Sequence, residues 1–178
     1  MAGTRMPVAE YFNTQLDHYF LAVDSEWGAI DRGEAGPGWQ RTGLGFTVRT
    51  PVQSPISTNV QRFYGSVSPG PNSHFFTIDL AEYQAVVRDG ERTPPNLPRW
   101  HSEGRPFNAF AALAESTCTS QQLPVYRAFN GGAARGLDPN HRYSTDKAVI
   151  NAMLSQGWVP EGVARKMPCL RPSIRRRP

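Results

Sequence analysis

The sequence predicts a single α+β domain made of three strand–strand–helix–strand repeats, in a β-rich arrangement with pseudo-threefold character. Similar opening segments recur along the chain, and each is followed by a histidine–aromatic cluster. Each copy then reaches an aspartate, a helix-like run and a tryptophan. A period of this length marks a supersecondary unit that cannot bury its apolar face alone. We expect copies at residues 7–50, 58–110 and 118–170 of one domain, 1–178.

Matching residue types at similar spacing carry the predicted repeat. The histidines are 56 and 67 residues apart, and the tryptophans 61 and 58. Residues found in every copy suit a scaffold better than a single catalytic centre. The matching positions are the openings Val8–Asn13, Val60–Gly65 and Val125–Asn130, the histidines His18, His74 and His141, and the tryptophans Trp39, Trp100 and Trp158.

Each element follows from its local sequence. The opening and histidine segments carry the aromatic and β-branched residues that favour strands. The aspartates Asp24, Asp79 and Asp146 follow, each placed to cap the N-terminus of a helix. Each tryptophan then begins a third strand.

Apolar residues at helical spacing predict the helices. In the second copy the stripe is Leu80, Tyr83, Val86 and Val87. In the third copy Val149, Met153 and Leu154 form a stripe, with Ile150 on its flank. Glycine tolerates a left-handed backbone, so we expect the helices to stop at Gly33, Gly90 and Gly157.

The charge distribution argues against nucleic-acid binding. The formal net charge is +4, but the segment 171–178 is rich in arginine, and without it basic and acidic residues balance. Attraction to phosphate would rest on this basic flexible tail alone. No apolar run is long enough for a membrane span.

The two cysteines, Cys118 and Cys169, bracket the third copy. A disulfide bond between them would close a loop of about 50 residues and contribute about 4 kcal/mol in the chain-entropy model. Two free buried thiols are the alternative. The bond would imply an oxidising compartment, so we expect a secreted or periplasmic protein. No signal peptide is visible, which leaves a cytosolic chain or a mature exported form open.

The run Asn140–Asp146, followed by Gly157–Gly162 and Cys169, resembles a bacterial repeat domain of unknown function. Val125–Arg127 with Phe129–Asn130 resembles the start of that repeat. The third copy matches closely and the others more loosely. Such repeats are similar to modules attached to secreted hydrolases or exported as small proteins. The resemblance therefore implies an extracellular accessory role, without supplying an activity or catalytic residues.

Polar groups beside aromatic residues make sugar binding the leading hypothesis. An indole can stack on the C–H face of a sugar while amides, acids and arginine bond its hydroxyls, although the same rings could simply form the core. Three shallow sites would add avidity. The candidates are Asp17, His18 and Trp39; Asn72, His74 and Trp100; and Asn140, His141, Arg142 and Trp158.

Catalytic and metal chemistry find less support. Three histidines could form an open zinc site, but each could equally donate to a backbone carbonyl. No Gly-x-Ser-x-Gly elbow is present. Glu103 and Glu161 could pair as carboxylates, but as equivalent residues they suit a shared structural role.

We therefore expect a non-catalytic, lectin-like extracellular module without a cofactor, whose partner is a glycan or cell-surface polymer. The alternative is a protein-binding or inhibitor module of a secreted enzyme, using the unshared loops 92–99 and 133–139. A metal-dependent hydrolase is the third hypothesis. The oligomeric state is left open.

Overall fold

In a computed structural model of the chain, the described residues form a β-rich α+β fold with three helices and several small antiparallel sheets. The structure describes residues 3–52, 58–65, 71–93, 99–110, 118–120, 122–161 and 169–170. The strands are β1 (Arg5–Asn13), β2 (His18–Val23), β3 (Trp39–Arg49), β4 (Thr58–Asn59), β5 (Gln61–Gly65), β6 (His74–Thr77), β7 (Trp100–Ser102), β8 (Asn108–Ala109), β9 (Leu123–Pro124), β10 (Tyr126–Phe129), β11 (His141–Ser144), β12 (Val159–Pro160) and β13 (Cys169–Leu170). The helices are α1 (Asp24–Asp31), α2 (Leu80–Arg92) and α3 (Lys147–Ser155).

Three sheets place the first strand of a segment between its second and third strands. β1 lies between β2 and β3, β5 between β6 and β7, and β10 between β11 and β12. Each helix joins the second strand to the third. We call residues 7–50, 58–110 and 118–170 the first, second and third segments. Each contains strand, strand, helix and strand in the predicted order. β8 and β4 extend the first sheet, and β13 pairs with β9.

Aspartates cap the second and third helices as predicted. The carboxylate of Asp79 accepts a hydrogen bond from the N–H of Glu82 at 2.8 Å. That of Asp146 accepts one from the N–H of Ala148 at 2.8 Å. Each bond satisfies a backbone donor that the helix itself leaves without a partner.

The first helix begins differently, and the prediction for Asp24 is wrong. Val23 is the capping residue, and Asp24 is the first residue inside the helix. The carboxylate of Glu26 turns back and accepts the Val23 N–H at 2.9 Å. A side chain three residues into the helix therefore satisfies this end, as in half of a capping box.

Glycines end two of the helices. Gly33 and Gly157, after α1 and α3, have φ of 79° and 86°, as expected for helix C-termini. The prediction for Gly90 is wrong, because α2 continues to Arg92. A Cβ on Gly90 would lie 3.0 Å from the carbonyl oxygen of Trp100. Glycine here lets the helix pack closely on β7.

The two longer helices bury their apolar residues to different depths. In α3, Ile150 and Met153 are buried. In α2, Tyr83 and the two valines are half-buried, while Leu80 is 67% exposed and lies outside the packed face that the sequence assigned to it.

One hydrophobic core cluster draws on all three segments. The opening valines Val8, Val60 and Val125 are all buried in it. Tyr143 joins the same cluster, and its hydroxyl accepts from the N–H of Phe76 at 2.9 Å and donates to the same residue's carbonyl at 3.2 Å. The segments are therefore joined by shared apolar burial, which is the main favourable term in folding.

The predicted disulfide bond is confirmed: Cys118 and Cys169 are linked, with Cα atoms 5.7 Å apart. Cys169 also exchanges two backbone hydrogen bonds with Phe110, at the end of the second segment. The disulfide bond and these backbone hydrogen bonds together hold β13 beside the second segment as well as the third. Within the described residues, no helix is long and apolar enough to cross a membrane. The basic tail 171–178 lies outside the described residues.

Candidate functional site

His74 and His141 occupy the same sheet position in their segments. In the second segment Tyr64 pairs with His74, and in the third Phe129 pairs with His141. Each aromatic residue lies four residues after the opening valine of its segment. The two histidines therefore correspond in structure as they do in sequence.

His18 does not occupy this position, so its predicted equivalence is wrong by one residue. Phe12, four residues after its opening valine, pairs with Tyr19. Tyr19 therefore takes the histidine's place in the first segment. His18 is buried instead, and its Nδ1–H donates to the carbonyl of Asn72 at 2.7 Å. Burial lowers the pKa of His18, although this hydrogen bond opposes the shift.

The position of Tyr19, His74 and His141 is a contact point between neighbouring segments. We call the first-to-second, second-to-third and third-to-first boundaries the first, second and third junctions. At each, a side chain of one segment's second strand covers the ring of the next segment. The distances to the ring centres are 4.3 Å from Phe20 to His74, 5.0 Å from Phe75 to His141 and 4.2 Å from the Arg142 guanidinium to Tyr19.

At the first junction Arg62 links two carboxylates. Its Nη1 lies 2.7 Å from Glu26 and its Nε 2.9 Å from Glu103. His74 Nε2 lies 3.3 Å from the same Glu103 oxygen. Glu26 belongs to the first segment and the other three to the second, so the cluster joins the two segments by charge-assisted contacts.

The second junction repeats this arrangement. Arg127 Nη2 lies 2.7 Å from Glu82 of the second segment, and its Nε 2.8 Å from Glu161 of the third. His141 Nε2 lies 3.1 Å from the same Glu161 oxygen. The Arg127 side chain is 1% exposed, against 12% for Arg62. The second cluster is therefore more deeply buried than the first.

The third junction reverses the charges. Glu10 takes the strand position of the two arginines, and its carboxylate receives two hydrogen bonds from Arg142, at 2.8 and 2.9 Å. Glu10 itself is buried. A two-point contact of this kind matches the planar guanidinium to the carboxylate and fixes their relative orientation.

The environment of the first junction keeps Glu103 ionised. Burial alone would raise the pKa of this carboxyl, but the hydrogen bond from His74 and the charge of Arg62 lower it below its ordinary value. Glu103 Oε2 meets both partners, whereas Oε1 makes no hydrogen bond within the described part of the chain. The junction thus presents an anionic oxygen with hydrogen-bonding capacity to spare.

A cavity of about 740 Å³ opens at the first junction, within the range typical of small-molecule sites. Its lining is part apolar and part polar. The apolar residues include Leu16, Phe20, Ala29, Ile30, Pro37 and Trp39, and the polar residues include Glu26, Arg62, Tyr64, Asn72, His74 and Glu103. A ligand with an apolar face and several polar groups would match both kinds of residue.

Asn72 is held at the cavity in a strained backbone conformation. Its φ is +43°, a region that residues other than glycine seldom adopt. The Tyr64 hydroxyl donates to its side-chain oxygen at 2.6 Å, and His18 bonds its carbonyl. Strain of this kind persists only where neighbouring contacts fix it, and it is frequent at ligand sites. His18 therefore positions Asn72 from the neighbouring segment.

The structure brings together some of the predicted site residues and separates others. Trp39, Asn72 and His74 line the cavity, and His18 lies behind Asn72. Asn140 is buried at the third junction, where its side-chain N–H donates to the carbonyl of the exposed Asp17 at 2.7 Å. The remaining candidates, Trp100, His141, Arg142 and Trp158, lie away from the cavity wall.

Of the polar cavity residues named above, four were not among the predicted binding residues: Glu26, Arg62, Tyr64 and Glu103. Of the apolar ones, only Trp39 was predicted. A signal existed for two of the four polar residues. Arg62 matches Arg127 and Glu103 matches Glu161, so the ion pair recurs in the sequence. Glu26 and Tyr64 carry no such signal, because their roles depend on how the segments meet.

The geometry gives little support to the other two hypotheses, a metal-dependent hydrolase and a protein-binding module. Within the described ranges, no group of three or more histidine, cysteine, aspartate or glutamate residues is arranged to hold a metal ion. Of the loops assigned to protein binding, 133–139 includes part of a 3₁₀ turn, Gly132–Arg135. Residues 94–98 of the other loop, and Gly162, lie outside the described residues.

Comparison with known proteins gives a family without a function. A family model described as a domain of unknown function, DUF5648, matches residues 7–168. The comparisons with curated proteins and with solved structures gave no match.

Proposed function

The chain belongs to the DUF5648 family, and we propose that it is a non-catalytic extracellular module that binds carbohydrate in the first-junction cavity. We also propose that its three segments are copies of one unit with pseudo-threefold symmetry. Equivalent contacts at the three junctions support the symmetry. The cavity and its mixed apolar and polar lining support the binding function.

The cavity fits the surface chemistry of a sugar. A pyranose ring has a face of C–H groups and a rim of hydroxyls. Trp39 and Phe20 offer aromatic surface to the face, while Asn72 and Glu103 offer polar groups to the rim. The volume exceeds that of a single sugar ring, so a short oligosaccharide is the proposed ligand.

The charge state of the site supports binding rather than hydrolysis. Glycoside hydrolysis needs one protonated carboxyl to donate to the leaving group. Here Arg62 contacts both Glu26 and Glu103, and the pKa of Glu103 lies below its ordinary value. A carboxylate held ionised in this way is an acceptor for sugar hydroxyls and a poor proton donor.

The disulfide bond supports an exported location. Such bonds persist in oxidising compartments and are rare in the cytosol. The Cys118–Cys169 bond is therefore compatible with a secreted or periplasmic protein, where a glycan or cell-surface polymer would be within reach.

A glycan array followed by calorimetric titration of the strongest hit tests the proposal. Trp39→Ala should weaken binding about tenfold, because it removes the aromatic face of the cavity. Trp100→Ala is the matched control, since Trp100 holds the same strand position in the second segment but lies away from the cavity wall. Absence of binding to every glycan, or an equal loss in both variants, would refute the proposed site.

A further inference from the structure

The charges around the first-junction cavity do not balance. Glu26 and Glu103 each contribute a negative charge to the wall, and Arg62 contributes one positive charge to both. Over these three side chains, the wall has one negative charge in excess. An acidic sugar entering the cavity would meet this excess, whereas a cationic group would be attracted to it.

The cavity wall has one hydrogen-bond acceptor that is not in use. Glu103 Oε2 already receives Arg62 and His74, but Oε1 makes no hydrogen bond to the described residues. The Glu103 side chain is 31% exposed, so a ligand can reach it. A partner for this oxygen must be a donor, and a cationic donor also offsets the excess charge.

The apolar part of the lining limits what kind of cation fits. Phe20, Trp39 and Ile30 line the cavity together with the charged residues, and the Phe20 ring lies 5.5 Å from the Arg62 guanidinium. A metal ion would leave that surface without a partner, and the described residues contain no metal-binding group of three acidic, histidine or cysteine side chains. An aminosugar suits both kinds of lining residue, because its ammonium group can meet a carboxylate while its ring meets the apolar residues.

We propose that the cavity selects sugars bearing a free amine, with the ammonium group bound to Glu103 Oε1 and facing Glu26. This inference rests on the proposed carbohydrate function and specifies its ligand class. Acetylation of the amine would remove the positive charge and add bulk, and replacing the amine by a carboxylate would reverse the charge. The cavity therefore distinguishes deacetylated polymers of glucosamine from their acetylated and acidic counterparts.

Calorimetric titration with short oligomers of glucosamine, N-acetylglucosamine and galacturonate tests this selectivity. At about pH 7 a large fraction of the free amines is protonated. We expect glucosamine oligomers to bind about tenfold more tightly than the acetylated ones, as a charge-assisted bond predicts, and galacturonate to bind weakest. Raising the ionic strength should reduce the preference.

Two variants connect the preference to the proposed atoms. Glu103→Gln keeps the shape but removes the charge, and should abolish the preference for the amine. Glu161→Gln makes the same change beside Arg127 and His141 at the second junction, and should leave the preference intact. Unfolding measurements on both variants show whether each remains folded at the titration temperature.

The outcomes distinguish the amine selectivity from the carbohydrate binding on which it rests. Equal binding of free and acetylated oligomers, or a preference for galacturonate, overturns the amine selectivity and leaves carbohydrate binding standing. Loss of the preference in Glu161→Gln overturns the assignment to Glu103. Failure of every oligosaccharide to bind overturns both proposals together.

Discussion

The first and second junctions contain the same ionic groups in two different settings. Arg62 with Glu103 and Arg127 with Glu161 have nearly the same geometry, and a histidine completes each set. The first set borders a cavity and is partly exposed, whereas Arg127 is almost fully buried. The shared groups therefore join segments, and the neighbouring residues decide whether a ligand can reach them.

The residues that differ are consistent with this division. His74 stacks beside Tyr64, whose hydroxyl bonds Asn72, whereas His141 stacks beside Phe129, which has no hydroxyl. The first junction thus has a hydroxyl group that the corresponding ring at the second junction lacks. Specificity is expected in such unshared positions.

The largest expected effect is on stability, and it compares the two arginines. Arg127→Met should destabilise the fold by about 3–5 kcal/mol, because the charge of Glu161 would lose its arginine partner in a largely buried site. Arg62→Met should cost about 1–2 kcal/mol, because its carboxylates are closer to water. Urea denaturation of both variants measures the difference. Equal losses would mean that the two junctions do not differ in burial as described.

A second prediction uses pH to sharpen the comparison. Burial lowers the pKa of His141, despite its hydrogen bond with Glu161. The unfolded chain then binds protons more readily, so stability should fall as the pH drops below about 6.5 and continue falling to the folded-state pKa. Each unit of lowering is worth about 1.4 kcal/mol.

Substitution at His141 should make the folding stability depend less on pH. His141→Gln keeps a hydrogen-bond donor for Glu161 but removes the titrating group. The unfolding free energies at about pH 7.5 and pH 5.5 should then differ less than in the parent chain. His18, whose pKa is also lowered by burial, supplies the part of the slope that persists. An unchanged slope in His141→Gln would contradict the buried neutral histidine.

The smallest expected effect compares helix packing in the first two segments. Gly28→Ala in α1 should stabilise the protein by about 0.5–1 kcal/mol, because alanine favours helices and its Cβ would meet only the mobile end of Arg32. Gly90→Ala in α2 should gain less or destabilise, because its Cβ would press on the Trp100 carbonyl. Thermal unfolding resolves shifts of this size. A larger gain from Gly90→Ala would show that α2 is not packed closely on β7.

Local sequence patterns predicted much of the fold. The segment order and the disulfide bond followed from strand propensity, the aspartate caps and the cysteine positions. The register of the first hairpin did not, although a signal was present. Asp24 lies six residues after His18, whereas Asp79 lies five residues after His74. One extra residue moves every side chain of a strand to the other face.

The site was harder to predict because it lies between segments. Trp39, Asn72 and His74 were named from residue type alone. The role of Glu26 depends on the first helix meeting Arg62 of the next segment, and no pattern within either segment encodes that contact. The strained backbone of Asn72 likewise depends on His18 across the boundary. Contacts of this kind arise from packing and not from propensity.

The reversed charges of the third junction determine which segments can be neighbours. Only the first segment offers an acid, Glu10, to Arg142. The second segment, placed there instead, would bring Arg62 against Arg142 and repel it. Misassembled chains, including copies that exchange segments out of order, therefore lose an ion pair and gain a repulsion. The residue that joins the first and last segments therefore also fixes the order in which segments can meet.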